Sequence, residues 1–183
     1  MTLKDLYRLA IEQGGDAVSR ALGHAEAQLA RNPGHRQALM YKGSLLTMVG
    51  DQMLTQEKRR AYIRTGVALM DSAMASDDAS PAVMCEMTYV QASTLACLPG
   101  DLGLDRVALE ALRELAHSPC FDATDPFDRV RTLVLLSCLA KHFGQQQEAQ
   151  SRFRQARGID EDLAIRTYSA WLNRSSPDTS VSP

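Results

Sequence analysis

Apolar residues recur every three or four positions along most of this chain, and that spacing limits the fold more than any other sequence feature. Side chains three and four residues apart lie on one face of an α-helix. The alternation of Val, Ile, Thr and Tyr that is typical of half-buried strands is scarce. The sequence therefore predicts an all-α fold. The clearest apolar stripe consists of Leu104, Val107, Ala108, Ala111, Leu112, Leu115 and Ala116.

Glycine and proline divide the apolar pattern into about nine helices. A glycine just beyond a helix adopts the left-handed backbone that ends it, and we expect Gly50 to end the third helix in this way. The pairs Ser80-Pro81 and Asp125-Pro126 predict helix starts, because a capping side chain precedes a proline that fits the first turn. Other breaks fall at Gly14-Gly15, Asn32-Pro33-Gly34, Pro99-Gly100-Asp101, Gly144 and Asp160.

The length of 183 residues favours one domain, which we place at residues 1–173. The segment from Ser80 to Leu98 is apolar on nearly every side, and this is typical of a helix in the middle of a protein. Residues 174–183 contain few apolar anchors, so we expect them to form a disordered tail.

The formal net charge of −2 argues against a nucleic-acid partner, because proteins that bind phosphate backbones usually carry a clear basic excess. The longest apolar runs, such as residues 133–136, are far shorter than a membrane span. Lys4, Asp5 and Arg8 lie where a secretory signal needs an apolar core. We therefore expect a cytoplasmic protein that binds neither nucleic acid nor a membrane.

Cysteine is present at positions 85, 97, 120 and 138, and no two cysteines have the CxxC spacing. Cys85, Cys97 and Cys138 have apolar helical neighbours, which favours reduced, buried thiols. A disulfide and a metal site are the alternatives. His117 and Cys120 lie three residues apart, but a zinc site there would need further ligands from elsewhere in the chain. We expect no metal and no cofactor.

Motifs that carry catalysis are absent from the sequence. It contains no GxSxG, no glycine-rich phosphate loop and no HExxH. Acidic residues such as Asp125 and Asp160 lie at helix starts, where carboxylates cap free amides and stabilise the helix dipole. We therefore predict a protein without catalytic activity, and an enzyme with an unrecognised site is the least favoured alternative.

One repeat unit lies between about Val130 and Asp162. It places large and small residues in an order that resembles the tetratricopeptide repeat, with Gly144 in the turn. The resemblance implies a right-handed stack of antiparallel helical hairpins, an α-solenoid, in which small residues let paired helices approach closely. The motif residues are Leu133, Leu136, Ser137, Ala140, Gly144, Ala149, Phe153 and Ala156.

A second unit matches the repeat more loosely, with Gly43 in its first helix and Gly66 in its second. These two glycines are 23 residues apart, whereas Ser137 and Ala149 are 12 apart. The difference predicts about three extra helical turns after Gly50.

In the tetratricopeptide-repeat family the first helix of each hairpin lines a concave groove. The resemblance therefore implies a partner-binding groove that is apolar at one end and cationic at the other, suited to an amphipathic or partly acidic segment. A Met40→Glu or Arg131→Glu substitution is expected to weaken such a complex without unfolding the domain. The predicted contact residues are Met40, Ser44, Met48, Arg131, Val134, Lys141 and His142.

Lys58, Arg59, Arg60 and Arg64 form a basic patch on the fourth predicted helix. Three interpretations of this patch remain open: a solvated face, contact with an acidic partner, and contact with nucleic acid. Taken together, the sequence favours a bacterial adaptor or escort that holds a protein or peptide segment. A homo-oligomeric structural or assembly subunit is the main alternative.

Overall fold

A computed structural model describes residues 1–75 and 79–174. Within those ranges the chain forms nine α-helices, one 3₁₀ turn at Gly100–Leu102 and no strand, which confirms the predicted all-α fold. The helices are α1 (Leu3–Gln13), α2 (Gly15–Arg31), α3 (Arg36–Asp51), α4 (Gln56–Met74), α5 (Pro81–Cys97), α6 (Asp105–His117), α7 (Pro126–His142), α8 (Gln146–Ile159) and α9 (Glu161–Arg174). Apart from Arg174, which ends α9, the tail predicted at residues 174–183 lies outside the described residues.

Side-chain caps account for several helix starts. Thr2 and Asp5 form a reciprocal capping box at α1, in which each side chain accepts a hydrogen bond from the other residue's backbone N–H. Asp125 accepts a hydrogen bond from the Phe127 backbone N–H at 2.9 Å, and Pro126 occupies the first turn of α7. The cap-then-proline pattern therefore starts α7 as predicted.

Gly50 does not end α3, and that prediction was wrong. The helix continues to Asp51, and the backbone of Gly50 stays right-handed. A Cβ at Gly50 would lie 3.1 Å from the Tyr62 Cβ and 3.2 Å from the Arg59 carbonyl oxygen. The glycine is therefore a place where α4 passes close to α3. Gly144, in contrast, has a φ of +76° and turns the chain from α7 into α8.

The chain divides into two compact units, Met1–Val83 and Met84–Pro183. The single domain predicted at residues 1–173 stays a prediction beside this division. In the first unit, α1, α2 and α3 pack in sequence and α4 packs along α3. The Tyr7 ring lies 4.9 Å from the Tyr41 ring, and the Tyr7 hydroxyl is hydrogen-bonded to the Ser44 hydroxyl at 2.9 Å.

The second unit is built around α7, which is buried without interruption over residues 132–140. Helices α6, α8 and α9 all pack against it. The Ser137 hydroxyl donates a hydrogen bond of 2.7 Å to the Ala149 carbonyl oxygen of α8. Small side chains at these two positions therefore bring α7 and α8 close together.

Two of the four cysteines are paired. Cys85 of α5 and Cys120, in the connection between α6 and α7, form a disulfide. The interpretation of all four as reduced thiols was therefore wrong for this pair, because the fold brings together residues that lie 35 positions apart. Cys97 is half-buried and Cys138 is buried, and both are free thiols.

Candidate functional site

The groove residues predicted on α3 lie mostly in the core of the first unit. Met40 and Ser44 are both 0% exposed, and Ser44 is held by its hydrogen bond to Tyr7. Met48 is half-buried. Because both side chains are completely buried, Met40 and Ser44 cannot contact a partner while the unit is folded. Their assignment to an open groove is therefore wrong.

The groove residues predicted on α7 divide into buried and accessible ones. Val134 is fully buried, as is the whole middle of α7, so this helix does not line an open groove in the second unit. Arg131 is half-buried and its guanidinium lies 5.8 Å from the centre of the Phe127 ring. Only Lys141 and His142, in the last turn of α7, are exposed.

Lys141 and His142 make contacts that tie the end of α7 to its neighbours. The Lys141 Nζ donates to the Tyr168 hydroxyl at 2.9 Å, and this hydrogen bond raises the pKa of Lys141. The His142 Nε2 lies 3.9 Å from the Asp105 Oδ2 of α6. The Lys141 ammonium group, in the last turn of α7, also interacts favourably with the helix dipole. A structural role thus accounts for both residues, and their exposure still leaves them accessible to a partner.

The basic patch on α4 is the predicted surface that the fold leaves most open. Lys58, Arg60 and Arg64 are exposed. Arg59 differs from them, since it is half-buried and its Nη2 lies 2.8 Å from the Asp51 Oδ1 at the end of α3. Arg59 therefore contributes to the α3–α4 contact, and the side chains of the other three residues are more accessible than that of Arg59.

Two exposed apolar side chains belong to the same segment of the chain as these cations, and neither is among the predicted partner contacts. Leu54, in the turn between α3 and α4, is 102% exposed, and Tyr62 on α4 is 37% exposed. The sequence did contain a signal for Leu54, because a large apolar residue in a turn between two helices can be exposed. We name the set of Leu54, Lys58, Arg60, Tyr62 and Arg64 the hairpin-tip surface.

Helical spacing arranges the hairpin-tip surface into two sides. Lys58 and Tyr62 are four residues apart on α4, as are Arg60 and Arg64, so each pair lies on one side of the helix. Glu57 is an exposed acidic residue in the same first turn. The surface thus combines a net positive charge with accessible apolar groups, and all five of its residues are exposed. Charge and exposed apolar area of this kind suit contact with another molecule.

A second polar cluster connects α6 and α8 around Arg113. Its Nε donates to the Glu148 Oε1 at 3.2 Å, its Nη2 to both Glu148 and Gln145, and its Nη1 to the Glu110 Oε1 at 2.9 Å. The hydrogen bond from Arg113 lowers the pKa of Glu148 and raises that of Arg113. The adjoining surface depression of about 520 Å³ is lined by Arg113 and residues 144–148. Because two carboxylates neutralise the guanidinium, the cluster fixes α6 to α8 and does not form an anion site.

Glu148→Gln tests this structural role of the cluster. In the wild-type chain the pKa of the Glu148 carboxyl group lies below its usual value of 4.5, so the ionised carboxylate stabilises the fold above pH 4.5. This contribution is lost as the pH falls through the lowered pKa. We expect the variant to lose about 1 kcal/mol of unfolding free energy at pH 7 and to differ less from the wild type at pH 3. Urea titrations at both pH values measure the difference. Glu110→Gln, at the more exposed partner of Arg113, is the control and should change stability by less than about 0.5 kcal/mol.

Comparison of the chain with protein families, with curated proteins and with solved structures finds no match. The tetratricopeptide-repeat resemblance of residues 130–162 therefore stays a prediction. Over the described part of the chain, no helix is both long and apolar enough to cross a membrane. The same residues contain no group of three or more His, Cys, Asp or Glu side chains placed to hold a metal ion.

Proposed function

We propose that the chain is a non-catalytic adaptor or escort that binds a segment of another protein on its hairpin-tip surface. The observation that carries this proposal is the full exposure of Leu54, in the turn before α4, together with the exposure of Tyr62 and of three cations on α4. A large apolar side chain left in water gains about 1.5–3 kcal/mol when a partner covers it. The matching segment is therefore acidic and contains at least one large apolar side chain.

A stack of helical hairpins is the architecture we infer behind this surface. In the first unit the α3 and α4 backbones approach at Gly43 and Gly66, and in the second the Ser137–Ala149 hydrogen bond joins α7 to α8. Close contacts through small residues are the physical requirement of a right-handed tetratricopeptide-like solenoid. This arrangement would also explain the repeat motif that the sequence shows between Val130 and Asp162.

Protein is a better partner for this surface than nucleic acid. The net charge of the chain is −2, and Glu57 lies among the three cations, so the positive field is small and local. Nucleic-acid sites usually combine several phosphate contacts with a broad basic face. An acidic peptide needs fewer cations and gains from burial of Leu54 and Tyr62.

Selection of peptides from a displayed random library against the full chain tests the proposal. We expect the selected peptides to be acidic and to carry Leu, Ile or Phe. Their dissociation constants, measured by fluorescence anisotropy, should rise at least tenfold for Leu54→Ser and for the Arg60→Glu, Arg64→Glu double variant, which is a loss of about 1.4 kcal/mol or more.

Arg20→Glu supplies the matched control, because Arg20 is an exposed cation on α2 outside the hairpin-tip surface. It should leave the dissociation constant within about twofold of the wild type. Basic selected peptides, or equal binding by the Leu54→Ser and Arg20→Glu variants, would refute the assignment of the surface.

Homo-oligomerisation is a second candidate function, and a separate observation favours it. Ile165 and Leu172 on α9 are 48% and 44% exposed. They are seven residues apart and therefore share one face of the helix. A second copy of the chain could cover this face. Light scattering at several concentrations separates the two functions, since a monomer at every concentration excludes the oligomeric subunit.

A further inference from the structure

The Cys85–Cys120 disulfide joins a buried helix to an irregular connection. Cys85 lies on α5 and is 7% exposed, whereas Cys120 lies in the segment between α6 and α7 and is half-buried. Their Cα atoms are 6.4 Å apart, within the usual range for a disulfide. An exchanging reagent therefore reaches Cys120 more easily than Cys85.

A hydroxyl group lies beside each sulfur. The Ser118 Oγ is 3.2 Å from the Cys120 Sγ, and the Thr124 Oγ1 is 3.6 Å from the Cys85 Sγ. Both hydroxyls already donate their protons to backbone carbonyl oxygens, Ser118 to Leu115 at 2.7 Å and Thr124 to Cys120 at 3.0 Å. Each oxygen therefore offers a lone pair to the sulfur, and in the reduced protein it can accept a hydrogen bond from the thiol.

The connection that carries Cys120 also has contacts of its own. The Phe121 backbone N–H donates to the Ser118 carbonyl oxygen at 3.1 Å, and the Thr124 N–H donates to the Phe121 carbonyl oxygen at 3.0 Å. The Phe121 side chain is buried, and the Arg129 guanidinium lies 5.7 Å from its ring centre. These contacts order the connection that carries Cys120 independently of the disulfide, and Thr124 of the same connection lies against the Cys85 sulfur.

We propose that Cys85 and Cys120 form a reversible thiol–disulfide exchange site that accepts low-molecular-weight disulfides and locks α5 to the α6–α7 connection when oxidised. The Cys120 thiolate attacks one sulfur of glutathione disulfide, forming a mixed disulfide and releasing one glutathione thiol. The Cys85 thiolate then attacks the Cys120 sulfur and releases the second glutathione. The two protein sulfurs are oxidised, glutathione disulfide is reduced to two thiols, and the protons of Cys85 and Cys120 end on the released glutathione.

Exchange between the reduced full chain and glutathione disulfide tests the proposal by mass spectrometry. A Cys97→Ser background removes the half-buried free thiol. We expect this chain to form the Cys85–Cys120 disulfide without a lasting glutathione adduct. Adding Cys85→Ser should trap one glutathione on Cys120, whereas adding Cys120→Ser should slow the modification of Cys85 at least tenfold. Equal rates at the two cysteines would overturn the assigned order.

Measurements on the wild-type chain make the test independent of whether the variants fold. Dithiothreitol under native conditions should open the bond while the circular dichroism spectrum stays helical, and glutathione disulfide should close it again. The oxidised form should melt about 10 °C higher than the reduced form, because the bond closes a loop of 35 residues in the unfolded chain. A bond that resists dithiothreitol until the chain unfolds, or equal melting temperatures, would contradict reversible locking.

Discussion

Gly66→Ala should destabilise the first unit by about 2–4 kcal/mol, although alanine favours helix more than glycine does. A Cβ at Gly66 would lie 2.4 Å from the Gly43 carbonyl oxygen and 2.8 Å from the Thr47 Cγ2. The carbonyl belongs to the α3 backbone, so no side-chain rotation can remove the clash. The two helices must therefore move apart, and the packing between them is lost.

The clash is reciprocal, which makes the prediction specific to this contact. A Cβ at Gly43 would lie 2.5 Å from the Gly66 carbonyl oxygen and 2.7 Å from the Met70 Cγ. Gly43→Ala should therefore be destabilising as well. The double variant should cost less than the sum of the two single variants, because the first substitution has already separated the helices.

Gly23→Ala is the matched control in the same unit. Gly23 lies inside α2, is exposed, and a Cβ there would meet nothing within 4 Å among the described atoms outside its neighbouring residues and the adjacent backbone of α2. We expect a gain of up to about 1 kcal/mol from helix propensity alone. Urea unfolding followed by circular dichroism gives the stabilities, and hydrogen exchange of α3 and α4 peptides locates the effect. Similar shifts for Gly66→Ala and Gly23→Ala would show that α3 and α4 do not approach closely.

Helix positions were predictable because their signals are local. The Asp125 side chain caps the helix, and the ring of Pro126 fixes a backbone angle that suits the first turn, so α7 starts there as expected. The glycines after α1 and α7 also act locally, since Gly14 and Gly144 both adopt a positive φ. Such residues need no information about distant parts of the chain.

The structural role of Gly50 could not be predicted from the sequence, because glycine occurs in helices for two different reasons. It permits left-handed backbone at a helix end, and it also allows a second helix to approach closely. At Gly50 the second purpose applies, and only the position of Arg59 and Tyr62 on α4 reveals it. Beyond Gly50, α3 adds only Asp51, so the extra helical length that was predicted there falls at the start of α4, which begins at Gln56.

The candidate site depended on contacts that span long stretches of sequence. Helical periodicity places Met40 and Ser44 on one face of α3, but their burial depends on the tertiary packing, which includes the Tyr7–Ser44 hydrogen bond across 37 residues. The same limit applies to the Cys85–Cys120 pair, since four cysteines allow several pairings. The basic patch on α4 needed no distant contact to be found, whereas its separation into Arg59 and three exposed cations did.

Met40→Glu should unfold the first unit or destabilise it by at least about 3 kcal/mol. Met40 is 0% exposed. A carboxylate at this position would lose its hydration on folding without forming an ion pair, and this costs free energy. A groove that binds through Met40 would instead give a stable variant with weaker binding. The substitution therefore separates a core residue from a contact residue.

Two control variants test whether the effect of Met40→Glu comes from the buried charge. Met40→Leu keeps an apolar side chain of similar volume and should cost less than about 1.5 kcal/mol. Leu54→Glu introduces the same charge at a fully exposed position, so it should change stability by no more than about 0.5 kcal/mol while it weakens binding of an acidic peptide. Urea unfolding gives the stabilities, and anisotropy gives the binding. A Met40→Glu chain with wild-type stability would place Met40 at the surface and return α3 to the binding site, because only an accessible carboxylate stays hydrated at no cost.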